Sequence, residues 1–179
     1  YSYSGGNSSA VSSTLSSGVT QIVANETAFA ALKSDGSVVT WGDSSYGGDS
    51  STVSGAIASN VVSITASYRA FAALKSDGSV VTWGDSSWGG NSSTVSSSIS
   101  SGVSKVFSNG VSFAALKTDG SVVTWGSGNG GNSSSITLSN IVNIFPNRGN
   151  AYTALKADGS FVSWGNSSFG GSTGSINVT

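Results

Sequence analysis

Four stretches of the chain share one pattern of apolar and polar positions. A short β-branched run comes first, at Val19 to Val23, Val61 to Thr65, Val103 to Phe107 and Ile141 to Phe145. Ala-Phe-Ala-Ala-Leu-Lys follows, then Ser-Asp-Gly-Ser, then Val-Val-Thr-Trp-Gly. Residues 28–42 recur letter for letter at 70–84. The pattern predicts a strand on each side of every Asp-Gly, the dipeptide suited to a two-residue type I′ turn with positive φ at both central positions. The expected turns are Asp35-Gly36, Asp77-Gly78, Asp119-Gly120 and Asp158-Gly159. Such a turn sets Leu32 opposite Val39 and Ala30 opposite Trp41, with all four on one face. The other face, with Phe29, Ala31 and Val38, is also largely apolar. A sheet apolar on both sides suits stacking against one neighbour before it and one after it, as in a propeller blade or a solenoid rung.

The phase is set by Trp41, Trp83, Trp125 and Trp164, each followed by Gly and spaced 42, 42 and 39 residues apart. The chain divides into repeats 1–42, 43–84, 85–126 and 127–165. Residues 166–179 form an overhang that duplicates the start of a unit. Each repeat opens on a Ser/Gly-rich segment around a Gly-Gly pair, which reads as loop or short edge strand. No helix is expected.

Ala-Leu-Lys-Ser-Asp-Gly-Ser-Val-Val-Thr-Trp-Gly, followed after a few residues by Gly-Gly, resembles the repeat of the regulator-of-chromosome-condensation (RCC1) family. The resemblance covers all four units and is specific over about 15 residues of each. It implies an all-β fold of four RCC1-like repeats of about 42 residues, forming a β-propeller or part of one. An elongated β-solenoid is the alternative. These repeats are shorter than is usual for the family and lack the His that often precedes Ala-Leu. The short, Ser-rich form is similar to repeats of large secreted or cell-surface proteins of bacteria. The nucleotide-exchange activity of the founding member rests on loop features with no counterpart assignable here.

Composition narrows the function. Among 179 residues there are 7 basic and 8 acidic side chains, no His, no Cys, no Met and one Pro, against 25 Gly and 44 Ser. Without His or Cys there is no Ser-His or Cys-His nucleophile pair and no imidazole or thiolate metal site. A net charge of −1 offers no basic surface for phosphates, so no nucleic-acid partner is expected. No apolar run reaches the roughly 18 residues of a spanning helix, so no membrane insertion is expected. The turn aspartates are one per hairpin, a poor calcium cage, and turn chemistry accounts for them. No catalytic residue, metal or cofactor is expected, and the chain is read as no enzyme.

Three aromatics, Tyr46, Trp88 and Phe169, share one loop phase before Gly-Gly and are candidates either for binding sugars or for packing between units. Six Asn-X-Ser/Thr sequons, at Asn7, Asn25, Asn91, Asn132, Asn166 and Asn177, are candidate glycosylation sites if the chain is secreted. Low charge, abundant Ser and Gly, and the duplicated end point to a structural protein outside the cell or at its surface, a mature chain or fragment without a signal peptide. It is expected to associate with itself head-to-tail, possibly into fibres in the sense that contacts which do not close propagate. The alternative is a glycan- or protein-binding propeller module. Exchange on a small GTPase is a remote third reading, by family analogy.

Overall fold

A computed structural model describes residues 6–128, 133 and 136–171. It contains four antiparallel sheets of three strands each, in simple meander order. Sheet 1 is β1 (Val19–Ala24), β2 (Ala28–Lys33) and β3 (Val38–Gly42); sheet 2 is β4 (Val61–Ala66), β5 (Ala70–Lys75) and β6 (Val80–Gly84). Sheet 3 is β7 (Val103–Ser108), β8 (Ser112–Lys117) and β9 (Val122–Gly126); sheet 4 is β10 (Ile141–Pro146), β11 (Ala151–Lys156) and β12 (Phe161–Gly165). The Ser-rich connections are not wholly irregular. They carry short 3-10 turns such as Ser44–Tyr46 and Ser51–Val53, and one helical turn, Ser12–Leu15.

The hairpin turn differs from the sequence expectation, and the difference moves the register by one residue. Leu32 pairs with Val38, Ala31 with Val39 and Phe29 with Trp41. Only the Gly of each Asp-Gly has positive φ, 79° at Gly36, and no Asp does. The Gly36 N–H donates to the Lys33 carbonyl and the Lys33 N–H to the Ser37 carbonyl, both at 2.9 Å. This is the three-residue hairpin loop, a turn closed by a left-handed Gly bulge, in place of the two-residue type I′ loop. The serine after Gly decides it: the Asp35 carboxylate accepts from both the N–H and the hydroxyl of Ser37, at 2.9 and 2.6 Å. A one-residue slip carries side chains to the opposite face. One face of sheet 1 therefore holds Ala28, Ala30, Leu32 and Val38, and the other holds Phe29, Ala31, Val39 and Trp41. The expected set of Ala30, Leu32, Val39 and Trp41 is split between the two.

The corrected register explains the core. The small-residue face of each sheet receives the aromatic face of the next. Ala28, Ala30 and Leu32 of sheet 1 share a core with Ile64, Phe71, Ala73 and Trp83 of sheet 2. Ala70, Ala72 and Leu74 meet Val106, Phe113, Ala115 and Trp125. Ala114 and Leu116 meet Ile144, Tyr152, Ala154 and Trp164. The alanines leave room for the stacked rings opposite, so large fills small at every joint. Hairpin tips tie the sheets further: the Gly36, Gly78 and Gly120 carbonyls accept from Val61, Val103 and Ile141 N–H at 3.0, 2.9 and 2.9 Å. The sheets follow one another as blades of a propeller that is not closed, since the outer faces of sheets 1 and 4 do not meet.

Phe71 is fully buried and Phe29, in the same phase on the outer face of sheet 1, is half-buried. Phe71→Ala is expected to cost about 3–5 kcal/mol in urea unfolding, and Phe29→Ala less than half of that. Equal costs for the two would contradict this account of the core.

Candidate functional site

Each Trp of the Trp-Gly pairs lies against the aromatic directly across its hairpin. The centroids of Phe29 and Trp41 are 5.2 Å apart, of Phe71 and Trp83 5.4 Å, of Phe113 and Trp125 5.4 Å, and of Tyr152 and Trp164 5.0 Å. Behind Phe71–Trp83 and Phe113–Trp125 stands the Gly-Gly turn that follows the preceding sheet. Gly47 is left-handed at φ 99°, and a Cβ there would meet the Phe71 ring at 2.7 Å. Its carbonyl accepts the indole N–H of Trp83 at 3.1 Å, as the Gly89 carbonyl accepts that of Trp125. The first Gly of Gly-Gly is thus a socket for the next unit's aromatic pair, with a backbone acceptor in its wall.

The loop aromatics sit just before these sockets on 3-10 turns, each capped by the residue after Trp-Gly. The Asp43 carboxylate accepts from Ser45 N–H at 2.8 Å, Asp85 from Ser87 at 2.8 Å, and Asn166 from Ser168 at 3.0 Å. A polar side chain at the end of each blade's first strand pins the aromatic residue's carbonyl: Asn25 to Tyr46 at 2.6 Å, Ser67 to Trp88 at 2.8 Å, Asn147 to Phe169 at 2.8 Å. Nothing in the sequence periodicity marked Arg69, which stands where Thr27 and Val111 stand in units 1 and 3. Its guanidinium lies 4.6 Å from the centre of the Tyr46 ring and 5.1 Å from that of Trp88, and its Nε pairs with Glu26 at 3.2 Å. Tyr68 meets Trp88 edge-on at 5.6 Å. Two of the three candidate aromatics are therefore bridged by a cation from the neighbouring unit, and a flat ligand would have to displace it. Phe169 is different, with 58% of its surface exposed.

The turns between first and second strands surround a concavity of about 490 Å3 lined by residues 24–26, 66–68, 108–110 and 146–148, one set from each unit. Its rim is uneven in chemistry, because Glu26, Tyr68, Gly110 and Arg148 occupy one phase. Beneath it lies a buried phenol hydroxyl. The Tyr152 hydroxyl donates to the Ser112 carbonyl at 2.8 Å and accepts from Asn109 N–H at 3.1 Å. Burial pushes this phenol well above its ordinary value, so it stays a donor. Among the described residues no group of three or more carboxylates could hold a metal, and no helix is long and apolar enough to cross a membrane.

The turn aspartates Asp35, Asp77, Asp119 and Asp158 lie below the usual carboxylate range, held there first by the hydroxyl and then by the N–H of the following serine. Of the sequons, Asn25 spends its amide N–H on the Tyr46 carbonyl. Asn7 and Asn91 are exposed and use their oxygens to accept from Ser9 and Ser93. Asn132 and Asn177 lie outside the described residues.

The repeat profile described as the regulator of chromosome condensation (RCC1) repeat matches residues 19–47. That stretch is the whole of sheet 1 with the capped turn and its socket glycine, and the same parts recur in sheet 2 and the turn that follows it. The matched unit is of the RCC1 type. The solved structures agree in fold. Prp20p from Saccharomyces cerevisiae, studied for its binding to Gsp1p and histones, is 18% identical with a TM-score of 0.58, over 82% of this chain and 44% of that one. Human WBSCR16 is 20% identical with a TM-score of 0.51, over 82% of this chain and 47% of that one. The CRINKLY WD40 ectodomain of the Arabidopsis thaliana receptor kinase ACR4 is 18% identical with a TM-score of 0.50, over 90% and 53%. This chain spans about half the length of these structures. No curated protein matches its sequence. The propeller expectation thus holds over the elongated solenoid.

Two outcomes are expected. Arg69→Ala should cost about 1–2 kcal/mol through its two ring contacts and shift the emission of Trp88, the ring it covers; an unchanged spectrum would mean that the bridge does not form. The turn aspartates have lowered folded values, so their contribution is full above the unfolded value of about 3.8 and is lost as pH falls through the folded one. A variant with Ser37, Ser79, Ser121 and Ser160 all changed to Ala should be less stable than the parent at neutral pH. The gap should shrink below about pH 3.8. A gap constant from pH 7 to pH 2 would refute the turn chemistry.

Proposed function

We propose that this chain is a non-enzymatic structural repeat module, working outside the cell or at its surface, whose blades bind one another and whose two ends join copies head-to-tail. The observation that carries this reading is the state of the two outer faces. Ile22 is 59% exposed, whereas Ile64, Val106 and Ile144 in the same phase are 4%, 7% and 2% exposed. Leu155 is 37% exposed, whereas Leu32, Leu74 and Leu116 are 6–7% exposed. Residues that make the core three times within the chain are bare at each end, and the two bare faces are of opposite kinds, one aromatic and one small-residue. Large exposed apolar patches of this sort mark interaction surfaces. The Ser-rich, weakly charged remainder of the surface supports an extracellular setting.

A second reading, a binding module, is favoured by the 490 Å3 concavity with Tyr68 and Arg148 on its rim. Exchange on a GTPase is not proposed, because an 18% identical likeness speaks only for the fold.

The test is sedimentation and light scattering over a dilution series, with electron microscopy of the concentrated protein. Concentration-dependent assembly is expected. Ile22→Lys or Leu155→Lys should each weaken it about tenfold or more while leaving the thermal midpoint nearly unchanged, since both sites are exposed. A strictly monomeric chain, or assembly indifferent to both changes, would defeat the structural reading.

A further inference from the structure

The joint between copies can be specified atom by atom, because the chain already contains it internally. Gly170 follows Phe169 in the phase of Gly47 after Tyr46 and Gly89 after Trp88. It has the same left-handed backbone, at φ 87° against 99° and 95°. Gly47 and Gly89 are filled: a Cβ on either would collide with a Phe ring, at 2.7 and 2.6 Å. A Cβ on Gly170 would meet nothing within 4 Å. Among the described residues the socket is formed and empty. The hairpin tip of sheet 4 repeats the point. A Cβ on Gly36 or Gly78 would strike the backbone of the next unit at 2.7 and 2.8 Å, but one on Gly159 would meet nothing within 4 Å. No described N–H reaches the Gly159 carbonyl, whereas those of Gly36 and Gly78 are occupied.

The matching halves lie at the other end. Phe29 and Trp41 stack at 5.2 Å and are only half-buried. Among the described residues no carbonyl accepts the Trp41 indole N–H, although Trp83 and Trp125 each have one. Val19 opens β1 in the phase of Val61 and Val103, whose N–H groups bond the preceding tip.

We infer that a second copy of this chain docks its sheet 1 on sheet 4 of the first by repeating the internal joint. The Phe29–Trp41 pair enters the Gly170 socket with the indole N–H on the Gly170 carbonyl. The Val19 N–H bonds the Gly159 carbonyl, and Ile22 comes to lie in one core with Leu155. The inference rests on the self-association proposed above and adds the partner's identity, the polarity and the contacts. The contact is heterologous, so the assembly keeps one free end of each kind unless the chain of copies closes.

The chain has no cysteine, which makes the test clean. Ile22→Cys and Leu155→Cys are prepared separately, checked for an unchanged thermal midpoint, and treated with a short bis-maleimide alone and mixed. Cross-linked dimers in the mixture only are expected. Dimers within either variant alone would mean that like faces pair, which overturns this joint and leaves self-association standing. A sample that sediments as an assembly but yields no cross-link in the mixture also overturns the joint. A strict monomer overturns both readings and leaves the faces for other blades. A second arm uses Gly170→Val against Gly55→Val, two glycines with open space around them. Assembly about tenfold weaker for the first alone is expected; equal assembly of the two rules out the socket.

Discussion

The structure depends on one contact, described at its first two joints: a stacked aromatic pair pressed against a left-handed glycine of the turn that follows the preceding sheet, with the indole N–H bonded to that glycine's carbonyl. A three-stranded sheet of five- and six-residue strands is too small to stand alone. These sheets are apolar on both faces, so each must be covered twice. The contact spans 36 residues of sequence, from Gly47 to Trp83 and from Gly89 to Trp125, and it couples the turn after one sheet to the aromatic pair of the next. The alanines of one sheet and the Gly-Gly turn that follows it are complementary to the Phe–Trp pair of the next sheet, so the sequence repeats as a whole block.

The third joint shows how far the contact can vary. Tyr152 replaces Phe, and a wholly buried hydroxyl must then find partners. Ser112 stands where Ala28 and Ala70 stand, and the phenol bonds the Ser112 carbonyl and the Asn109 N–H. The Asn109 side chain caps the Val111 and Ser112 N–H groups as Asn25 caps those of Thr27 and Ala28. On the outer face of sheet 4 the substitutions run toward polarity. Thr153 stands where Ala30, Ala72 and Ala114 stand, and its hydroxyl bonds that of Ser163 at 2.8 Å. A face so altered is less apolar than its internal counterparts and keeps the leucine and a larger ring, Phe161, where they have valine.

Much of this was legible in the chain. The recurrence of Trp-Gly at 42, 42 and 39 residues gave the units, alternation gave the strands, and two apolar faces gave stacking. The register was misread because Asp-Gly was taken as a complete turn, whereas the serine after it, by holding the Asp carboxylate, extends the loop by one residue. That slip separated Phe29 from Trp41 on paper, although they are direct partners in space. The loop aromatics share one phase in the sequence, but their environment was not legible: Arg69 breaks the repeat, and a residue without counterparts carries no periodic signal. The concavity was likewise invisible, since its lining comes from turn residues that differ in every unit.

Whether blade-on-blade joining ends in a ring or a fibre follows from curvature. Joints at which the same residue types meet are expected to relate each sheet to the next by a similar rotation. A joint between copies built from Gly170, Gly159, Phe29 and Trp41 would carry that rotation onward. The portion of Prp20p matched by this chain is 44%, so two copies carry just under nine-tenths of the length of a chain with this blade type. Two copies bent as that chain is bent would bring the second pair of bare faces near each other. The faces that must then meet include Thr153 and Phe161, which the internal joints lack. A wider contact at that point changes the rotation at one joint in four. If it flattens the turn, the faces pass each other and copies continue to add; if it does not, the assembly closes on itself. If copies join in this way, the balance between closure and growth rests on a small number of side chains on the outer face of sheet 4, and not on the repeated aromatic contact that builds the blades.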